Sequence, residues 1–370
     1  MEYSDLGTVV RELAPDVGAG NPRNSEGAFC ETKEGKILFA YSRFRGKDAA
    51  DHSFADIWIM ESHDRGRTFE EGRLVLSCEG EGGVNMMSPS FLEMQNGDIG
   101  LFYLVRMTYT RTRVYFRRSA DGGKTFGERV LCTPQEDFFV VNNDRVVRLK
   151  SGRIIIPAAS HRTDESFFDS RSEVLFFCSD DDGESWKVSE GKCALPYSAH
   201  CRSGLQEPGV VELSSGVVWA FARTELGRQF EMFSMDQGMN WTACQPSGFT
   251  APNSPLCMKR GFSGELYAVW NPIPEFNGRK FVEGVFTGGR TPLVIAASAD
   301  EGASFTDPIA FEWDEERGYC YCAIFFTEDA LLLAYCAGGK EDGSCLARTR
   351  IRRIEKKTLL EKGLIKGGRV

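Results

Sequence analysis

Apolar residues along this chain fall into short runs bounded by glycine- and aspartate-bearing turns. Runs such as Asp56-Ile-Trp-Ile-Met60, Val114-Tyr-Phe116 and Leu293-Val-Ile-Ala296 have the length and composition of strands. No strongly amphipathic helical pattern exceeds a short stretch near the C-terminus. Each of these runs leads into the same polar box, Ser-x-Asp-x-Gly-x-(Thr/Ser)-(Phe/Trp). The box occurs at Ser62 to Phe69, Ser119 to Phe126, Ser179 to Trp186 and Ser298 to Phe305. A fifth copy, Ser234 to Trp241, has Asn240 in place of the Thr/Ser. Strand, Asp/Gly turn, then an aromatic that returns to the core predicts one hairpin per repeat.

Upstream of the boxes runs a second repeat, a turn followed by a strand. It appears at Glu34-Gly35 to Arg43, Asn96-Gly97 to Arg106, Ser151-Gly152 to Ile156, Ser215-Gly216 to Arg223 and Ser263-Gly264 to Asn271, with a worn sixth copy at Glu328 to Tyr335. The box serines are 57, 60, 55 and 64 residues apart, which is room for two hairpins per repeat. Two hairpins make a four-stranded blade, and 370 residues accommodate six. The expected fold is therefore all-β, a six-bladed β-propeller with five box repeats, forming one domain over residues 1–370 with no linker.

Composition narrows the partners. A net charge of −9 argues against nucleic acid or an anionic membrane surface. No apolar run approaches the roughly 18 residues a membrane span requires. The start, Met1 to Gly7, lacks the basic and apolar segments of a signal peptide, so a cytoplasmic location is expected. The twelve cysteines have no paired zinc-type spacing and sit mostly in apolar strands, as expected of buried, reduced thiols. With four histidines, no HExxH, no Rossmann fingerprint and no P-loop, no metal or cofactor is expected. No oligomeric state follows from the sequence.

A propeller gathers the starts of its inner strands around a central channel, and the repeats locate those positions. Nine residues before the turn glycine stand Glu26, Ser88, Asn143 and Glu207; in the sixth repeat the stretch is Tyr319-Cys-Tyr321-Cys322. The strands that follow end at Arg43, Arg106, His161 and Arg223. Carboxylates, tyrosines and arginines converging on one mouth suit an acidic ligand and acid–base chemistry. The alternative is a buried ion-pair network tying the blades together.

The five boxes resemble the Asp boxes of sialidases, and the chain resembles that superfamily from about Arg23 to Tyr335. The resemblance implies hydrolysis with a Tyr nucleophile activated by a Glu, an Asp acid/base and three arginines on a substrate carboxylate. Gln206-Glu207-Pro208 followed by Trp219 to Thr224 is similar to the family stretch with the activating Glu and second Arg, implying Glu207 as base and Arg223 as clamp. Asp51, five residues before the strand opening at Asp56, resembles the acid/base; Asp56 reads as part of the strand. Arg290 resembles the third arginine and Arg43 an additional pocket arginine. Tyr321-Cys-Ala-Ile resembles the nucleophile's motif, with Tyr319 as the alternative nucleophile. At the motif position of the first arginine stands Glu26, with Arg23 three residues earlier. Asn143, Asp144 and Arg145, polar residues between apolar ones at a strand start, are expected to contact ligand, with a satisfied core network as the alternative. The expected activity is exo-hydrolysis of a terminal sialic acid or related acidic sugar from an oligosaccharide or glycoconjugate. A lyase or other exo-glycosidase on uronic-acid or deoxy-sugar ends, prompted by Glu26, His161 and His200, and a non-catalytic sugar-binding propeller are the alternatives.

Overall fold

The computed structural model describes residues 1–164, 167–275 and 287–365. Six sheets of antiparallel strands follow one another along the chain, ordered from the channel outward, and the fifth adds the N-terminal Glu2–Tyr3, which pairs parallel with Ile309–Glu312. In the first blade these are Asn24–Glu31, Ile37–Phe44, Ala55–Ser62 and Arg73–Leu76; in the fourth, Gln206–Glu212, Val218–Arg223, Arg228–Ser234 and Gln245–Thr250. The sixth blade breaks the order. Its strands Cys320–Phe326, Ala330–Cys336 and Thr349–Glu355 are completed by Thr8–Leu13 from the N-terminus, which closes the ring. The third strand of that blade runs into the helix Lys356–Glu361, where the other blades carry a box.

The apolar runs are continuous because each sheet is covered on both faces. Six clusters of buried side chains fill the six gaps between neighbouring blades. Leu38 and Ile57 of the first blade meet Leu101 and Tyr103 of the second, and Phe39 and Tyr41 on the other face meet Leu332 and Ala334 of the sixth.

The boxes are self-contained turns. In the first, Ser62 Oγ donates to Asp64 Oδ1 at 2.9 Å and accepts from Gly66 N–H at 2.9 Å, while Thr68 Oγ1 donates to Asp64 Oδ2 at 2.6 Å. The same contacts recur at the other four, with the Asn240 amide replacing the hydroxyl. Ile37, which opens the second strand, pairs with Ser62, whereas Asn24 pairs with Arg43 at the far end of the sheet. The boxes and the starts of the inner strands therefore lie at opposite ends of the propeller.

Candidate active site

Among the described residues, nine non-glycine positions have positive φ, and they form two sets. Arg65, Asp182, Gln237 and Glu301 occupy one place in the boxes. The other five are Glu26, Ser88, Asp144, Glu207 and Tyr321, one near the start of the inner strand in five of the six blades. In four of them the register slips there, so that extra residues face one partner across the ladder. A left-handed residue at a bulge carries strain of about 1–3 kcal/mol and re-aims its side chain, here toward the channel. In the first blade the bulge also depends on Gly27, where a Cβ would lie 2.1 Å from the Phe39 ring.

Tyr321 Oη donates to Glu207 Oε1 at 2.8 Å. Arg223 donates through Nη1 to the other Glu207 oxygen and to Tyr321 Oη at 3.3 Å, and Asn253 Oδ1 accepts its Nε–H at 2.7 Å. The Arg290 guanidinium lies 5.2 Å from the centre of the Tyr321 ring, with Nη1 3.2 Å from Cys320 Sγ. Burial and then the Glu207 charge push the phenol well above its ordinary range, against the pull of Arg290 and Arg223. The resting phenol keeps its proton and has an acceptor already in place.

A second group faces this one from the first blade. Arg23, 2% exposed, donates to Asp51 Oδ1 at 2.6 Å, Glu26 Oε1 at 3.1 Å, Ser25 Oγ at 2.8 Å and the Ala49 carbonyl at 3.1 Å. Ser88 Oγ donates to the other Glu26 oxygen at 2.7 Å. The two carboxyls on this guanidinium are driven apart. Burial pushes Glu26 up to about 7 against the pull of Arg23. Desolvation also raises Asp51, but the charges of Arg23, Arg106 and Arg290 together outweigh it and hold Asp51 below its ordinary range. Asp51 sits on a loop at the mouth with 64% of its side chain exposed, so solvent screens that pairing.

Between the two groups lies a pocket of about 280 Å³. Glu26, Asp51, Glu207 and Tyr321 line it, Arg106 reaches it from the second blade, and Met87, Leu104, Phe138 and Phe168 give it an apolar wall. That wall was not read from the sequence. The paired aromatics Phe138-Phe139 and Phe167-Phe168 in one blade were its available signal.

Several expected site residues go elsewhere. The Arg43 guanidinium stacks on Trp58 at 4.2 Å rather than joining the cluster. Tyr319 is fully buried among the core side chains between the fifth and sixth blades, its ring against Tyr335. The bulge at Tyr321 breaks the strand alternation that would have put both tyrosines on one face. In the third blade the left-handed residue is Asp144, one position later than the spacing predicts. Asp144 is buried, paired with Lys259 and bonded to the Ile324 amide at 2.9 Å, and Asn143 Nδ2 donates to the carbonyls of Gly27 at 2.7 Å and Tyr321 at 3.2 Å. Both tie blades across the axis, and the neighbouring Asn142 lines the pocket. Beyond them a cavity of about 350 Å³, lined by Asp144, Lys259, Arg148 and Arg260, opens toward the box end and holds none of the Tyr–Glu chemistry. Asp56 is structural, bonded to Arg45 and the Cys78 amide. His161, lowered by burial, faces the Asp169 carbonyl and stacks on Phe168; His200 is exposed on a loop. Neither histidine lines the pocket.

All twelve cysteines are free thiols, ten of them buried. Among the described residues Asp56, Cys78 and Glu79 could approach one ion, but the Arg45 guanidinium bonds all three and serves as their cation.

A model of the BNR repeat-like domain matches residues 35–333. The chain belongs to this family. No curated protein sequence matches it. Among solved structures, this BNR propeller is similar to a Dyadobacter fermentans protein of unknown function (TM-score 0.69, 18% identity, 94% of this chain and 99% of that one). It is also similar to the NanB sialidase of Streptococcus pneumoniae (TM-score 0.69, 13% identity, 97% and 72%). The leech intramolecular trans-sialidase, complexed with 2,7-anhydro-Neu5Ac, matches at TM-score 0.68 and 14% identity, over 97% and 71%. At these identities the likeness is one of fold.

Proposed function

We propose that this BNR propeller is an exo-acting, retaining glycoside hydrolase of the sialidase type, with Tyr321 as nucleophile, Glu207 as its base and Asp51 as acid/base. The observation that carries the reading is the 2.8 Å hydrogen bond from Tyr321 Oη of the sixth blade to the Glu207 carboxylate of the fourth, between two arginines. A core network has no need to aim a tyrosine hydroxyl into a pocket. The bridge that Asn143 makes to the Gly27 and Tyr321 carbonyls, across the channel from the third blade, supports exo action by obstructing passage of a sugar chain along the axis.

In the first step Glu207 takes the phenol proton while Tyr321 Oη bonds to the anomeric carbon. The glycosidic C–O bond breaks, and its oxygen leaves with a proton from Asp51. In the second, Asp51 takes a proton from water, the water oxygen attacks the anomeric carbon, the Tyr321–sugar bond breaks and Glu207 returns the phenol proton. The free protein holds Asp51 ionised against Arg23, whereas Glu26 on the same guanidinium stays protonated to about 7. Asp51 therefore takes up the proton it delivers to the leaving group from solvent at the exposed mouth before the glycosidic bond breaks.

The fold resemblance alone would make the released unit sialic acid or a related acidic sugar; the carboxyl groups on the pocket wall favour a different one. Turnover of aryl glycosides by the wild type and Tyr321→Phe tests the reading. A fall in kcat of about 10³-fold or more is expected for loss of the nucleophile. An unchanged kcat would contradict it.

A further inference from the structure

The three carboxyl groups and single arginine of the pocket wall bear on which sugar enters. Arg23, first in line to clamp an anionic ligand, is 2% exposed and has its Nε–H, both Nη1 hydrogens and an Nη2 hydrogen committed to Ser25, Ala49, Asp51 and Glu26. Arg223 is engaged by Glu207, Tyr321 and Asn253, and Arg290 lies behind the Tyr321 ring. Arg106, which does line the pocket, donates to the carbonyls of Asp51 and Tyr109 and lies against the Tyr109 and Phe138 rings. A ligand carboxylate entering here would meet Glu26, Asp51 and Glu207 before any uncommitted guanidinium.

We propose that Glu26 fills, from within the protein, the place a substrate carboxylate would take on Arg23, so that the pocket accepts a terminal sugar without a carboxylate at its anomeric carbon, a neutral aldopyranose. This rests on the glycoside hydrolase reading above and specifies its substrate class. The Asp51 and Glu207 carboxylates that line the pocket can accept hydrogen bonds from sugar hydroxyls, which an anionic sugar would exploit only against their charge. The wall of Met87, Leu104, Phe138 and Phe168 suits the C–H face of such a ring. A phenol nucleophile is consistent with this: beside the Asp51 and Glu207 carboxylates a third would be repelled by its neighbours, whereas Tyr321 enters uncharged.

The experiment has two readouts. Hydrolysis is measured on p-nitrophenyl glycosides of neutral aldopyranoses in both anomers, on the glucuronide and galacturonide, and on 4-methylumbelliferyl N-acetylneuraminide. Binding is measured separately, as the shift in Tm of Tyr321→Phe with the neutral monosaccharides and with 2-deoxy-2,3-dehydro-N-acetylneuraminic acid. The proposal predicts turnover and a Tm shift with a neutral sugar, neither with the carboxylated ones, and about a tenfold loss of kcat/KM in Glu26→Gln. Turnover or a Tm shift confined to the carboxylated sugars overturns the substrate class and leaves the hydrolase reading standing. A Tm shift with neutral sugars and no turnover of any glycoside supports the pocket's preference but overturns the hydrolase reading. No turnover and no shift with either class overturns both.

Discussion

Glu26 is held in a buried pocket wall by one arginine and one serine, and its folded-state acidity gives it a measurable signature. An unfolded Glu titrates at about 4.3, whereas burial pushes the folded group up to about 7. A raised carboxyl contributes stability that is fully present below the unfolded value and is lost as pH rises through the folded one. From below about pH 4.3 to above about 7 the wild type therefore loses roughly 4 kcal/mol that Glu26→Gln does not. Urea unfolding of both proteins across pH 5 to 8 should show the two curves diverging, and parallel curves would show that Glu26 titrates normally. At this scale the sequence was legible where a residue sits in a distinctive local string. Glu207, Arg223 and Tyr321 stand in such strings, and the structure brings those three side chains together. It was illegible where a bulge decides direction. Tyr319 and Tyr321 differ by two positions and so shared a face in any regular strand, yet a single positive φ sends one to the core and the other to the channel.

The element that repeats is the hairpin with its box, and it was legible because its hydrogen bonds are local. Each box Asp accepts from a Ser two residues before it and from a backbone amide and a side chain four residues after it, so the whole motif fits in one string. The box Ser is the buried hinge of that turn. Ser179→Ala removes both its bond to Asp181 and its acceptance of the Gly183 amide, and should cost about 1–2 kcal/mol in unfolding free energy. Because the box lies at the far end of the blade from the pocket, kcat/KM of the folded variant should stay within about twofold of wild type. A stable protein with altered kcat/KM would show that the two ends communicate. The inner strand of the third blade was the element misread. Counting from the turn glycine assumed the same length in every blade, and that strand is split into Phe138–Val140 and Val147–Arg148. The segment between them crosses the axis, so Asn143 and Asp144 bond to other blades.

At the scale of the whole molecule, six sheets buried on both faces make a ring whose channel the third blade bridges, with the pocket on the side away from the boxes. The ring itself was legible from the repeat count. Its closure was not, since pairing Thr8–Leu13 with Thr349–Glu355 joins the two ends of the chain and leaves no periodic trace. Nor was the division of the pocket's charge, which depends on side chains from the first, second, fourth and sixth blades meeting at one mouth. The same convergence brings Tyr321 of the sixth blade to Glu207 of the fourth, and the account rests on that pair. Its most direct test is to treat the protein with the 2-fluoro glycosyl fluoride of whichever sugar it hydrolyses, and to map the trapped adduct by peptide mass spectrometry. The account predicts a single glycosyl group on Tyr321, absent from Tyr321→Phe. An adduct on Glu207, Asp51 or Glu26 would make a carboxylate the nucleophile and contradict it.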